Sequence, residues 1–224
     1  MAAILFLDVE GAFPNAVSAR LLHNMHMRRV PEEYILFVDH LLTDRRTRLK
    51  FDGFTSEWIN VDNGIVQGGP LSMILYLFYN ADLLEDVGKM ETKVGYVDDV
   101  NFYAKGCTFD AAYAKLSSMM TREGGSQDWS KLHNSKFEMS KLTLVGFCRR
   151  CVQDPTCPRK MKAEHRPNLS LCSTSIKPAE LHKFLGVVFD QELRWNMQAK
   201  RVVAKATKWT LASRRLARPA AGIS

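Results

Sequence analysis

The sequence predicts an α+β domain in which a small antiparallel sheet is backed by helices. A continuous run of β-prone apolar residues, 3–9 (AILFLDV), is typical of a buried strand and leads into Asp8. Two shorter apolar runs between residues 93 and 104 are hinged on Asp98-Asp99 and predict a hairpin. Stretches with helical spacing lie between these strands. We therefore expect a mixed fold in which carboxylates stand at strand ends.

The other elements follow from periodicity and turn chemistry. Apolar residues recur at helical spacing in 15–27 and 31–42, which predicts two helices after the first strand. The alternating stretches RTRLKF and FTSEWINV flank Asp52-Gly53, a pair that readily supplies the positive φ angles of a tight turn, so a hairpin is expected at 46–61. Further helices are predicted at 71–87, 109–120 and 195–216, strands at 142–147 and 181–190, and an exposed loop at 149–167.

Composition limits the class of protein. The chain has 224 residues, 46% hydrophobic and 25% charged, which is enough for one domain with a sizeable core and indicates neither a disordered nor a fibrous protein. The net charge of +7 is compatible with a polyanionic partner. The excess is concentrated after Glu192, where no acidic residue follows and the basic residues include Lys200, Arg201, Lys205, Lys208, Arg214, Arg215 and Arg218.

Cysteine usage and hydropathy bear on the compartment. Five cysteines without a signal peptide predict reduced thiols, and no apolar run approaches the ~20 residues of a membrane-spanning helix. We expect a soluble intracellular protein, nuclear or cytoplasmic, with no membrane partner. The spacing of Cys148 and Cys151 is that of zinc ligands, but Cys157, His165 and Cys172 form no second short pair, so unpaired thiols are the favoured interpretation.

Five segments, in this order, carry a resemblance to a known family. FLDVEGAFPNA (6–16) resembles motif A of reverse transcriptases, NGIVQGGPLSMILYLFYNADLL (63–84) resembles motif B, and GYVDDVNF (95–102) resembles motif C. HNSKFEMSKLTLVGF (133–147) is similar to motif D, and HKFLGVVFD (182–190) to motif E, the primer grip. The form of these motifs resembles the enzymes of non-LTR (LINE-like) retrotransposons. The resemblance implies a polymerase palm and RNA-directed DNA synthesis.

The resemblance also assigns roles to single residues. It makes Asp8, Asp98 and Asp99 the catalytic carboxylates and, with the carbonyl of Val9, the metal ligands. Substrate-binding roles go to Phe13, as a steric gate against ribose, and to Gln67 and Gly68 beside the incoming nucleotide. Lys141 is the implied general acid, and Leu185 and Gly186 form the turn of the primer grip.

The implied chemistry is nucleotidyl transfer with two Mg²⁺ ions, for which Mn²⁺ is able to substitute. The implied partners are an RNA template, a DNA primer and dNTPs. Residues 1–190 would form the palm, and residues 191–224 a basic helix that starts the thumb and contacts the template-primer backbone. The finger segments that precede motif A in the family would lie before Met1, so we expect upstream sequence to be missing. Motif B departs from the usual Pro-Gln-Gly-Ser at Val66 and Gly69.

Each motif has a plainer structural alternative. An Asp-Asp pair in a hairpin is commonly just a turn, an aromatic residue such as Phe13 is as often a core residue, and Lys141 could be a solvated lysine at a strand edge. Two rival functions remain for the whole chain. One is a degenerate, inactive retroelement fragment that retains nucleic-acid binding, and the other is a maturase-type RNA-binding module that does not need the carboxylates.

Overall fold

A four-stranded antiparallel sheet organises the chain, which a computed structural model describes for residues 1–85, 87–154 and 156–216. With strands numbered along the chain, the sheet order is β6-β7-β1-β8, formed by Glu91–Tyr96, Asp99–Lys105, Ala2–Asp8 and Thr143–Phe147. The helices are α1 (Ser18–Met27), α2 (Glu32–Leu42), α3 (Ser72–Asn80), α4 (Phe109–Thr121), α5 (Ser126–Leu132) and α6 (Asn196–Leu216). This mixture of helices and antiparallel strands confirms the predicted α+β class.

The remaining strands form two-stranded pairs. In the 46–61 hairpin, β2 (Arg46–Thr47) pairs with β5 (Ile59–Asn60), and β3 (Lys50–Phe51) pairs with β4 (Phe54–Thr55). Further along, β9 (Cys151–Asp154) pairs with β10 (Cys157–Ala163), β11 (Leu169–Leu171) with β12 (Thr174–Ile176), and β13 (Leu181–Phe184) with β14 (Val187–Asp190).

The two faces of the central sheet differ because side chains alternate along each strand. Leu5 is aligned with Phe102 on one side and Leu144 on the other, and all three are fully buried on the face that α4 covers. The opposite face carries Phe6, whose ring lies 4.0 Å from that of His182 in β13. The β13–β14 hairpin therefore packs on the same sheet face as Asp8.

A buried polar network fixes the segment that leads into β8. The Asn24 amide of α1 donates to the Tyr79 carbonyl of α3 at 3.2 Å and lies 3.4 Å from Nε2 of His133. The Tyr79 hydroxyl donates to the His133 carbonyl. Burial lowers the pKa of His133, which favours the neutral imidazole. These contacts position residues 133–141 beside the end of β1.

Two of the predicted elements are wrong. Residues 149–167 were expected to form a loop, but most of them form the β9–β10 hairpin. Its turn is held by Asp154, whose Oδ1 accepts hydrogen bonds from the amide and hydroxyl of Thr156 at 2.9 and 2.7 Å. Little of this hairpin is buried, so it carries no hydrophobic alternation. The single strand expected at 181–190 is two strands, divided by a turn at Leu185-Gly186.

Other boundaries shift, and three elements were not predicted. The helix expected at 71–87 ends at Asn80 and continues as a 3₁₀ turn, Ala81–Leu84. The short elements α5, β11 and β12 have no counterpart among the predicted ones. The helix predicted at 195–216 is confirmed as α6, whereas residues 217–224 of the expected thumb lie outside the described residues. No helix in the described part of the chain is both long and apolar enough to cross a membrane.

Candidate active site

Two predicted carboxylates meet on neighbouring strands of the central sheet. Asp8, the last residue of β1, is the register partner of Asp99, the first residue of β7. Directly opposed residues on antiparallel strands have Cα atoms about 4.5–5.5 Å apart. Both carboxylates therefore lie on the same face of the sheet, at neighbouring ends of its two inner strands. Asp98 precedes Asp99 in the turn between β6 and β7. The fold thus gathers in one place three aspartates that are up to 91 positions apart in sequence.

The turn that carries Asp98 is strained and is held from outside. Val97 has a φ of 59°, a left-handed conformation that a β-branched residue rarely adopts. The buried side chain of Asn80, at the end of α3, donates a hydrogen bond to the Val97 carbonyl at 2.6 Å. Asn80 is therefore a positioning residue that the sequence analysis missed. The available signal was a single amide side chain at the end of an otherwise apolar helix.

Replacing Asn80 by Ala is expected to slow nucleotide addition by about tenfold or more, because the strained turn loses its restraint at a stability cost of about 1–3 kcal/mol. Single-nucleotide primer extension measures the rate, and urea denaturation measures the stability. Ser126→Ala is the control, since it removes a buried hydroxyl that donates to the Met119 carbonyl of α4, the helix on the sheet face opposite Asp8. An equal loss of rate in both variants would show that Asn80 acts only through global stability.

The carboxylates repel one another, and a lysine offsets part of their charge. Burial and the neighbouring charges of Asp98 and Asp8 raise the pKa of Asp99. The Lys141 ammonium lies 2.9 Å from Oδ2 of Asp8 and also pairs with Glu138. The hydrogen bonds that the Lys141 ammonium donates to Glu138 and Asp8 raise its pKa, which is the opposite of the lowering expected for a general acid. As the site stands, Lys141 is a counter-ion for Asp8.

The backbone around Val9 leaves its carbonyl directed toward the β7 side. The amide of Glu138 donates to the Asp8 carbonyl at 3.0 Å, and the amide of Glu10 donates to the Lys136 carbonyl at 2.8 Å. Successive carbonyls of a strand point to opposite edges, so that of Val9 faces away from the 136–138 segment. This placement is compatible with the predicted role of Val9 as a backbone metal ligand.

The loop before α3 is fastened to the segment after β1. The amide of Gly64 donates to the Ala16 carbonyl at 2.7 Å, and that of Ile65 donates to the Phe13 carbonyl at 2.8 Å. Phe13 is half-buried, with its ring 5.0 Å from that of the buried Tyr76. Phe13 therefore has both a packing contact and an exposed part.

The two predicted nucleotide-binding residues of this loop are accessible. Gln67 is exposed, and Gly68 is exposed with a φ of 85°. A Cβ built at Gly68 would meet nothing within 4 Å, so open space borders its backbone. A ligand could therefore approach the chain closely at this point.

The predicted primer-grip turn faces the aspartates. Leu185 and Gly186 have φ angles of 46° and 86° and close the β13–β14 hairpin, with Leu185 half exposed. A cavity of about 210 Å³ is lined by residues from this hairpin together with Asp8, Asp99 and Lys141. Of the predicted catalytic and primer-grip residues, the structure thus brings Asp8, Asp99, Lys141 and Leu185 around one cavity, while Gln67 lines a different one.

The donor set suits a hard divalent cation in its chemistry. Mg²⁺ prefers oxygen ligands and retains several waters, and half-buried carboxylates at strand ends satisfy that preference. Burial and the repulsion by Asp98 and Asp8 raise the pKa of Asp99, and a bound cation would relieve the repulsion. No three His, Cys, Asp or Glu side chains within residues 1–85, 87–154 and 156–216 stand close enough together to hold a metal as they are. Binding by all three aspartates would require them to converge, and Lys141 would have to release Asp8.

Comparisons with known proteins agree with this geometry. The family "Reverse transcriptase (RNA-dependent DNA polymerase)" matches residues 2–189. Apo telomerase from Candida tropicalis has the same fold over 85% of this chain and 31% of its own, with a TM-score of 0.55 and 9% identity. A form of that telomerase truncated from the C-terminal domain matches 84% of this chain and 34% of its own, with a TM-score of 0.52 and 13% sequence identity. The chain thus spans about a third of the telomerase structures it matches. No curated protein matches the sequence.

Proposed function

We propose that this chain, which belongs to the reverse transcriptase (RNA-dependent DNA polymerase) family, adds dNTPs to a DNA primer on an RNA template. The observation that carries the proposal is the pairing of Asp8 with Asp99 at one sheet edge, with Asp98 in the adjoining turn. Residues 1–190 would act as the palm and residues 191–224 as the start of the thumb.

Asp8, Asp98 and Asp99, with the Val9 carbonyl, would hold two Mg²⁺ ions, or Mn²⁺ in their place. When bound, such ions activate the primer 3′-hydroxyl and stabilise the charge of the triphosphate. The protein supplies the fixed strand ends that set the position of the carboxylates. Lys141, which is paired with Asp8 in the structure, would move to the leaving pyrophosphate and donate a proton from Nζ to its oxygen. The neutral amine would then regain a proton from water and pair with Asp8 again.

The other predicted residues would select and position the substrates. Phe13 would exclude a ribose 2′-hydroxyl, and Gln67 and Gly68 would border the incoming nucleotide. The Leu185-Gly186 turn would support the primer terminus across the 210 Å³ cavity. Basic α6 would contact the template-primer backbone through charge, independently of sequence. The order and form of the motifs favour a retrotransposon of the non-LTR class, acting in the nucleus or the cytoplasm.

The proposal is tested by measuring which sugar the chain accepts in the incoming nucleotide when the template is RNA. We expect the chain to incorporate dTTP in preference to UTP on a primed RNA template, and Phe13→Val to raise the relative use of UTP by about 10-fold or more, since the ring no longer opposes the 2′-hydroxyl. Primer extension with each nucleotide measures both rates. Tyr103→Val, which removes a half-exposed aromatic of β7 further from the site, is the control. Equal use of dTTP and UTP by the parent chain would contradict the proposal.

A further inference from the structure

The 46–61 hairpin exposes large apolar side chains beside basic ones. Every residue of its four strands is exposed, so neither face packs on the core. Phe51, Phe54 and Trp58 are 61%, 53% and 56% exposed. A hairpin in a folded domain usually buries one face, and exposed apolar clusters of this kind mark binding sites.

The aromatic side chains are arranged with cations. The Arg48 guanidinium lies 4.7 Å from the centre of the Trp58 ring, and the rings of Phe51 and Phe54 are 5.1 Å apart. Arg46 and Lys50 belong to the same hairpin and are also exposed. Aromatic rings interleaved with cations are what proteins use to bind unpaired nucleic-acid strands, with rings stacking on bases and cations following the phosphates.

A cavity lies at the base of the hairpin, beside a guanidinium with an unpartnered donor. Arg45 and Arg46 line a space of about 660 Å³ together with Pro14 and the loop that ends in Gln67. Nε of Arg45 donates to the Leu42 carbonyl at 3.0 Å, but its Nη2 is buried with no hydrogen-bond partner among the described residues. A buried donor without an acceptor is costly, and a phosphate oxygen is the acceptor that a guanidinium fork matches best.

Two acidic residues lie beside this cavity. Asp44 and Asp62 line an adjoining pocket together with Arg45 and Arg46, yet within the described ranges neither acid forms an ion pair with either arginine. The exposed Arg46 side chain, which has no ion pair within those ranges, is therefore accessible to an anionic ligand. Val66 and Gln67 also line the cavity, which therefore borders the proposed nucleotide site.

We infer that the 46–61 hairpin and the cavity at its base bind the unpaired part of the RNA template as it approaches the nucleotide site. A phosphate would occupy the Arg45 and Arg46 cavity, and bases would stack on Trp58 and on the Phe51 and Phe54 pair. The identity of the strand as template rests on the proposed function, whereas binding of an unpaired strand does not.

The test uses fluorescence anisotropy of labelled 12-nucleotide oligo(rA) with the full chain, without nucleotides. Trp58→Ala is expected to weaken binding by about 10-fold or more, because it removes a stacking surface, and Trp58→Phe should retain most of the affinity. Arg46→Gln is expected to weaken binding several-fold and to reduce the salt dependence by about one phosphate contact. Phe37→Ala, which removes an exposed aromatic of α2, and Arg159→Gln in β10 are the matched controls.

Several outcomes would overturn the inference. They are unchanged affinity in Trp58→Ala, equal weakening in Phe37→Ala, or tighter binding of oligo(dA) than of oligo(rA). A chain that binds no single strand but forms a dimer that Trp58→Ala abolishes would identify a protein interface instead. The two proposals can be contradicted separately. If the chain binds single strands but adds no nucleotide, only the proposed polymerase function is contradicted. If Trp58→Ala extends primers normally and binds single strands as tightly as the parent, only the proposed strand-binding site is contradicted.

Discussion

Nucleotide addition is expected to fall by at least about 1,000-fold, or about 4 kcal/mol of transition-state stabilisation, when Asp98 and Asp99 are both replaced by Asn. The amides keep the shape of the turn but lose the charges that would hold the metal ions. Single-turnover extension with dTTP measures the loss. Asp110→Asn, an exposed acidic residue in the first turn of α4, is the control and should extend normally.

The same variant is expected to be at least as stable as the parent at neutral pH. The pKa of Asp99 is raised in the fold, so its ionised form is disfavoured there. An acid with a raised folded pKa destabilises the protein as pH rises from about 3.9 through that folded value, and the effect persists at neutral pH. Asn removes this penalty, which urea denaturation at pH 7.5 would detect. A variant that is inactive and also unfolded would give no support to a catalytic role.

Gly64→Ala is expected to destabilise the protein by about 2–4 kcal/mol, the second large effect. Gly64 has a φ of 92°, and a Cβ there would lie 2.7 Å from the Pro14 carbonyl oxygen. The substitution therefore adds a backbone clash to conformational strain. It should also loosen the contact that holds the motif B loop against Phe13, and so reduce extension.

Gly68→Ala is the matched control for this second effect. Gly68 has a similar φ of 85°, but a Cβ would meet nothing within 4 Å, so only the conformational cost of about 1–2 kcal/mol is expected. Its stability should thus lie between those of the parent and Gly64→Ala, while extension falls because the backbone no longer admits the nucleotide closely. Equal stabilities of the two variants would contradict the clash at Pro14.

The sequence was informative where local pattern and motif coincide. The apolar run before Asp8 and the two runs hinged on Asp98-Asp99 predicted strands that the structure confirms, and antiparallel pairing then brings Asp8 opposite Asp99. The Asp52-Gly53 turn was likewise predicted from its chemistry, and both residues have positive φ angles. In each case, information within about ten residues specifies the element.

Long-range contacts were not predictable in this way. Asn80 bonds to Val97 across 17 positions and Lys141 to Asp8 across 133, and neither contact leaves a local pattern. The raised pKa of Lys141 follows from those partners rather than from the residue itself. The β9–β10 hairpin escaped prediction because its strands are mostly exposed and so lack the hydrophobic alternation by which strands are recognised.

The most direct test of the central claim is extension of a labelled oligo(dT) primer on poly(rA) by the 224-residue chain, supplied with dTTP and Mg²⁺. We expect a ladder of longer products that disappears when the metal is chelated and returns when Mg²⁺ or Mn²⁺ is restored. A folded chain that binds the primed template but adds no nucleotide with either metal would contradict the claim that its aspartates form a working polymerase site.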